Sequence, residues 1–379
     1  MKKIVSLFFV LASISLMSCS HENDNSNSGS NNIDPSIIPE PTSGESKNKK
    51  GIGTIFDEYL GYNTKDATVF EEEDARYVIY DGQKEKEGKQ IFVSRKAVKE
   101  GNQWVYGEKH LVLEGSENGW DINISNPSVV KGSFAYQGND YSYLLAYNGN
   151  NTSDNTNNHI GFAVSNDVLG TWIKVGNQPL LKNPENQEAA YGYGSPCLLS
   201  YDNLGKGYIF YAVGEINVSF GAVKTYDFSN LDAPVIEGGY SSLPVTGLND
   251  NQDLNVILNA GFAFNADKSK VYMVKDRLPV SNNVPNQSSA IEVAKANAEI
   301  IANHDESWSS LKIINSFDTM DEEDEESLGW DEIYSGDFVT DPYGKIISET
   351  KLEIIYSTFD EEGSLPKFSS TLASYEVNL

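Results

Sequence analysis

Two aspartates head short apolar strands in this 379-residue chain: Asp66 in Asp66-Ala67-Thr68-Val69-Phe70, and Asp337 in Gly336-Asp337-Phe338-Val339-Thr340. Carboxylates brought together from separate strands can move a proton to or from a substrate, share a cation, or accept hydrogen bonds from hydroxyl groups. Either one could instead serve as a structural acceptor at a strand end. Two further segments join an indole to carboxylates: Gly119-Trp120-Asp121-Ile122-Asn123 and Gly329-Trp330-Asp331-Glu332-Ile333. An indole face stacks on the apolar face of a sugar ring, and an adjacent carboxylate accepts from ring hydroxyls. The alternative is a Trp wedged between packed sheets and an Asp capping a turn. Tyr191 and Tyr193 stand in the comparable place before a third strand, and Asn126 opens a second. The candidate catalytic pair is therefore Asp66 and Asp337. The candidate ligand-binding set is Trp120, Asp121, Asn126, Tyr191, Tyr193, Trp330, Asp331 and Glu332.

Other chemistries find little support. The four histidines (His21, His110, His159, His304) are scattered, and no pair has ligand spacing. No zinc pattern, phosphate-binding glycine loop, serine elbow or Cys-His pair is visible, so neither cofactor nor metal is expected. The acidic run 318–326 lacks the spaced ligands and glycine of a calcium loop and reads as a solvated loop. Cys197 lies in an apolar strand and reads as a small packing residue.

The elements that would carry these residues repeat. A short apolar strand followed by a turn and an aromatic strand recurs at Asp66, Asn126, Ser195, Ala260 and Gly336, with spacings of 60, 69, 65 and 76 residues. The paired aromatic strands include Arg76-Tyr77-Val78-Ile79-Tyr80, Tyr143-Leu144-Leu145-Ala146-Tyr147 and Tyr208-Ile209-Phe210-Tyr211-Ala212. Third strands follow, as in Ile160-Gly161-Phe162-Ala163-Val164-Ser165, and Trp104, Trp172 and Trp308 each lead an outer strand. Four short strands per unit with turn residues between them predict an all-β, five-bladed β-propeller spanning residues 51–379. A β-sandwich with regular strand spacing is the competing architecture. Residues 372–377 would form the third strand of the last blade, 51–56 could supply an outer strand, and 296–302 could form one short helix. Segments that enter an inner strand would border the mouth of the central funnel, which puts Trp120 and Trp330 there.

The strand openings Asp66-Ala67-Thr68-Val69 and Asn126-Pro127-Ser128-Val129-Val130, with Phe162-Ala163-Val164-Ser165-Asn166-Asp167 and Gly170-Thr171-Trp172, resemble the five-bladed propeller glycoside hydrolases, above all family 43 and its fructan-acting relatives. The resemblance implies a carbohydrate substrate and three carboxylates, one each from the first, second and third inner strands. It makes Asp66 the base or nucleophile. Asn126 stands where an Asp is expected, and Gly194 stands where the acid Glu is expected. Glu188 lies upstream and could reach in from a loop. Two of the three carboxylates are missing, which argues against the family's standard hydrolysis. The segment 165–172 is also similar to a sialidase Asp-box with one extra residue, a structural turn.

The formal net charge is −27, which disfavours nucleic acid as a partner because phosphate binding needs clustered Lys and Arg. The chain opens with Lys2 and Lys3, an apolar run over 4–16, and Leu16-Met17-Ser18-Cys19. This is the pattern of a secretory signal, too short to span a bilayer. It resembles the bacterial lipobox, which implies lipidation at Cys19 and anchoring to a membrane. Residues 1–19 read as the signal peptide and 20–50 as a flexible tether poor in apolar residues. Acidic residues just after Cys19 resemble an export signal to the outer face of the outer membrane. An oligo- or polysaccharide is the expected partner.

Overall fold

A computed structural model describes residues 65–83, 90–152, 155–215, 219–249, 256–277, 290–315, 332–359 and 370–379. The signal peptide, the tether, residues 51–56, Trp330 and Asp331 lie outside the described residues. The described chain is all-β apart from two 3-10 turns, Glu185–Gln187 and Ala298–Ile301. The second of these stands where one short helix was expected.

The strands form antiparallel meanders. The first comprises β1 (Lys65–Glu72), β2 (Ala75–Gln83), β3 (Gln90–Glu100), β4 (Gln103–Tyr106) and β5 (His110–Glu114). The second comprises β6 (Asn123–Tyr136), β7 (Asn139–Asn150), β8 (His159–Ser165) and β9 (Ile173–Lys174). The third is β10 (Gly192–Ser200), β11 (Lys206–Gly214), β12 (Ser219–Asp227) and β13 (Val235–Ser242). The fourth is β14 (Gly261–Phe264), β15 (Lys270–Asp276), β16 (Ala290–Asn297) and β17 (Ser309–Asn315). The last is β18 (Glu332–Thr340), β19 (Lys351–Phe359) and β20 (Ser370–Asn378), with β20 as the third strand anticipated from residues 372–377. A short parallel pairing of β1 with β18, Val69 opposite Val339, fuses the first and last meanders into one eight-stranded sheet.

Apolar layers lie between successive meanders. Leu145, Tyr147 and Trp172 of the second pack on Ile79 and Phe92 of the first. Phe162 of the second meets Ile209 and Tyr211 of the third, and Phe210 of the third stacks on Phe262 of the fourth with ring centroids 4.1 Å apart. Val274 and Ile291 of the fourth pack on Ile354 and Tyr356 of the last. Ile355 and Val339 of the last return to Val78 and Tyr80 of the first. Alternation along each strand therefore feeds two layers, one per face, which is why the strands read as almost continuously apolar.

The loop between β18 and β19 ties three of the innermost strands together near their ends. Its Pro342 carbonyl accepts from the Lys131 N–H of β6, its Tyr343 carbonyl from Ser200 of β10, and its Gly344 carbonyl from Phe264 of β14. The segment 165–172 is a structural turn, as its Asp-box likeness implied: Ser165 Oγ accepts from Asp167 N–H, and Asp167 Oδ1 accepts from Leu169 N–H. It delivers Trp172, whose backbone N–H donates to Val112 of β5 in the neighbouring meander.

Candidate functional site

At the other end, each innermost strand carries one non-glycine residue of positive φ within its first four residues or two residues before it: Asp66 (51°), Asn126 (53°), Ser195 (49°), Asn259 (44°) and Ser335 (51°). In four of the strands the pairing register slips at this point, the signature of a β-bulge. The left-handed region disfavours most L-residues but is tolerated by Asn and Asp, whose short side chains bond locally. The equivalent residues in the last two units are thus Asn259 and Ser335, one place before the Ala260 and Gly336 read from the repeat. Asp337 is correspondingly not the counterpart of Asp66, since it lies two residues deeper along its strand.

These residues and their successors line a cavity of about 30 Å³, bordered by Asp66, Asn126, Ser195, Asn259, Ser335 and Asp337 among others. That is room for a water rather than a sugar ring. A ligand of ring size would therefore meet the rim.

The second strand of each meander supplies a residue behind this ring: Asp81, Asn148, Ala212, Asp276 and Ser357. Three of them accept the N–H of the next meander's left-handed residue. Asp81 Oδ1 accepts from Asn126 at 3.1 Å, Asp276 Oδ1 from Ser335 at 2.7 Å, and Ser357 Oγ from Asp66 at 2.9 Å. Asp276 Oδ2 also accepts from Asn259 Nδ2 at 2.8 Å, and Asn259 Oδ1 accepts from Ser195 Oγ at 2.8 Å. Burial, the larger effect, pushes Asp276 up to about 7 against these hydrogen bonds. Asp337 is likewise pushed up to about 7 by its enclosure, opposed by the Phe338 N–H and the Thr68 hydroxyl.

Asp66 and Asp337 both line the cavity, and Asp66 shares an ammonium with a further carboxyl, Asp81. Burial and then the Asp66 charge hold Asp81 well above the usual carboxylate range. Lys65 Nζ lies 3.0 Å from Asp66 Oδ2 and 3.9 Å from Asp81 Oδ2. Lys65, Asp81, Asn148 and Asp276 were not singled out from the sequence. Their signal was the polar residue that ends most of the aromatic second strands, as in Tyr80-Asp81, Tyr147-Asn148 and Tyr356-Ser357. Asn148 is buried, and its Oδ1 has no hydrogen-bond partner among the described residues.

Trp120 lies flat on the β7–β8 sheet. Its ring is stacked on Tyr147 at 5.8 Å, and a Cβ placed at Gly149 or Gly161 would stand 2.4 or 2.5 Å from the indole. Asp121 is buried, accepting from Tyr147 Oη at 2.9 Å and pairing with Lys174 at 2.6 Å. Tyr193 is buried against Tyr211. Beside them His159 is buried, its Nδ1 accepting from the Asn183 N–H at 2.9 Å, and burial lowers it to about 4. Glu188 is exposed in the turn after the first 3-10 segment. Glu332 opens β18 opposite Phe359.

Gly194, at the position where the resemblance asks for an acid, is crowded by the Tyr191 side chain, which would have to shift for any larger residue. A Cβ there would stand 2.2 Å from the Tyr191 hydroxyl. That hydroxyl also lies 3.5 Å from Asn148 Nδ2. No group of three or more His, Cys, Asp or Glu able to hold a metal ion occurs among the described residues.

The fold is similar to that of propeller glycoside hydrolases. A solved glycoside hydrolase superposes with a TM-score of 0.54 at 11% identity, covering 83% of this chain and 87% of its own. An α-L-arabinofuranosidase of Podospora anserina, solved with cellotriose, superposes at 0.51 with 12% identity, covering 86% and 93%. A family 117 glycoside hydrolase of the marine bacterium Zobellia galactanivorans gives 0.50 at 13%, covering 85% and 87%. No family model and no curated protein matches the sequence.

Proposed function

We propose that this chain is a surface-anchored, five-bladed propeller that binds a glycan at the end of its axis that carries the left-handed ring and has lost its fold's hydrolytic arrangement. The observation that carries this reading is Tyr191, whose hydroxyl fills the space a side chain at Gly194 would need. The third inner strand therefore offers no acid, and the second offers Asn126 in place of a carboxylate. Asp66 and Asp81 instead share one ammonium, with Lys65 Nζ 3.0 Å from the first and 3.9 Å from the second. Glycosidase carboxyls stand roughly 5–9.5 Å apart with the sugar between them.

The rim is suited to hydroxyl recognition. Asp66, Asn126, Ser195 and Asn259 border the cavity, and Tyr191 and Asn148 sit beside it. Trp330 and Asp331 belong to the same reading by their place ahead of β18, as does Trp120 ahead of β6. The partner is an oligo- or polysaccharide, and the charge of −27 speaks against nucleic acid. Residues 1–19 would serve as signal, Cys19 as lipid anchor, 20–50 as tether and 51–379 as propeller, with the domain displayed at the outer-membrane surface.

A second reading, hydrolysis with Asp66 as base and Asp337 as acid, draws on the proton that Asp337 keeps up to about pH 7. Affinity electrophoresis and product release, run on the same plant, fungal and algal glycans, separate the two. Retardation without released sugar is expected, with retardation weakened about tenfold or more in Asp66→Asn. Sugar release abolished by Asp66→Asn would establish the hydrolase instead.

A further inference from the structure

The internal repeat shows what is particular to the first meander. The residues just before the five left-handed positions are Lys65, Ser125, Gly194, Leu258 and Tyr334, so one strand alone brings a cation to the ring. On a regular strand Lys65 and Asp66 would point to opposite faces. The φ of +51° at Asp66 breaks that alternation, and Lys65 Nζ reaches the adjacent carboxylate at 3.0 Å. Lys65 is also the cross-strand partner of Asp81. Asp81 is buried, its Oδ1 is taken by the Asn126 N–H, and its Oδ2 has no hydrogen bond, with the ammonium 3.9 Å away. The groups facing the ammonium are Asp66, Asp81 and, from β18, Tyr334.

We propose that Lys65 is a positioning residue that acts as the site's own tethered cation: it neutralises the Asp66–Asp81 pair and leaves the rim to a neutral, hydroxyl-bearing ligand without need of a metal ion. The proposal rests on the carbohydrate reading for the ligand class and on the chain's geometry for the cation role. Two carboxyls within reach of each other repel when both are ionised, and something must offset that charge. A lysine provides it at fixed geometry with no entropy of ion capture. An ammonium in this place also obstructs a free cation from the same oxygens. Asp276 makes a useful internal contrast: its cross-strand neighbour is Leu258 where Asp81 has Lys65, and its carboxylate accepts from the neutral donors Asn259 and Ser335.

The test needs no glycan. Thermal unfolding of the purified protein is followed with EDTA, potassium or calcium added, beside Lys65→Met, Lys65→Arg and Lys65→Met/Asp81→Asn. The wild-type and Lys65→Arg midpoints should not move with any addition. Lys65→Met should melt lower, and calcium should raise its midpoint by about 2 °C or more. The double variant should regain most of the loss and ignore calcium. Should Lys65→Met fail to fold, rescue by Asp81→Asn keeps the comparison open. Calcium stabilisation or EDTA destabilisation of the wild type would overturn the proposal, as would a Lys65→Met/Asp81→Asn protein no more stable than Lys65→Met. Loss of all glycan binding with these melts as expected would overturn the carbohydrate reading and leave the role of Lys65 standing.

Discussion

Asp276 and Asp337 keep their protons up to about pH 7 because burial penalises their charge more than nearby donors reward it. In an unfolded chain an aspartate releases its proton near pH 3.9. The folded state thus holds protons that the unfolded state has lost, and stability falls as pH rises from about 4 to about 7. Asp81 adds to the same slope. In Asp276→Asn the neutral amide should flatten this slope, which melting curves between pH 4 and pH 7.5 would read, at the expense of about 1 kcal/mol for a lost acceptor. An unchanged slope would show that Asp276 does not titrate there. At Gly194 the expected result is steric. Gly194→Glu should lose about 1–3 kcal/mol by crowding Tyr191, and Tyr191→Gly in the same chain should recover part of it. Equal stability of Gly194→Glu and wild type would refute the crowding.

Among elements, the innermost strands decide which residues face the axis, and their bulges do the aiming. Ser335 has φ 51°, where a β-branched residue is strained by about 1–2 kcal/mol. Ser335→Val should therefore lower the unfolding midpoint while Ser335→Gly leaves it nearly unchanged or raises it, as urea titration would measure. The strands themselves were legible from apolar runs and turn residues, and the third strands at 160–165 and 222–225 fall inside β8 and β12. The bulges were not, because a left-handed residue leaves no mark in hydrophobic patterning. That is why Asn259 and Ser335 were each read one place late. It is also why Asp66 and Asp337 stood out as strand openers, while Asp81, which shares the Lys65 ammonium with Asp66, lies towards the far end of the next strand and did not. Trp120 had two readings in sequence. Its bed on Gly149 and Gly161 depends on two strands whose side chains are absent at just those places.

For the molecule as a whole, closure joins distant chain segments. The β1–β18 pair and the loop 341–350 both bind the last meander to earlier ones. The left-handed ring and Asp66 lie at the opposite ends of the innermost strands, beside the small cavity. The fold is similar to that of hydrolases at 11–13% identity, and a shared fold leaves the chemistry of the rim to be argued from its own residues. The repeat made the architecture readable. The missing carboxylates at Asn126 and Gly194 were readable too, but their meaning required Tyr191 to be placed. The measurement that bears most directly on this account is a side-by-side titration and digestion of one glycan panel by the purified protein and its Asp66→Asn variant. Saturable binding of at least one glycan by the wild type, weakened by the substitution and unaccompanied by new reducing ends, is expected. Reducing ends that accumulate with the wild type and vanish with Asp66→Asn would contradict it.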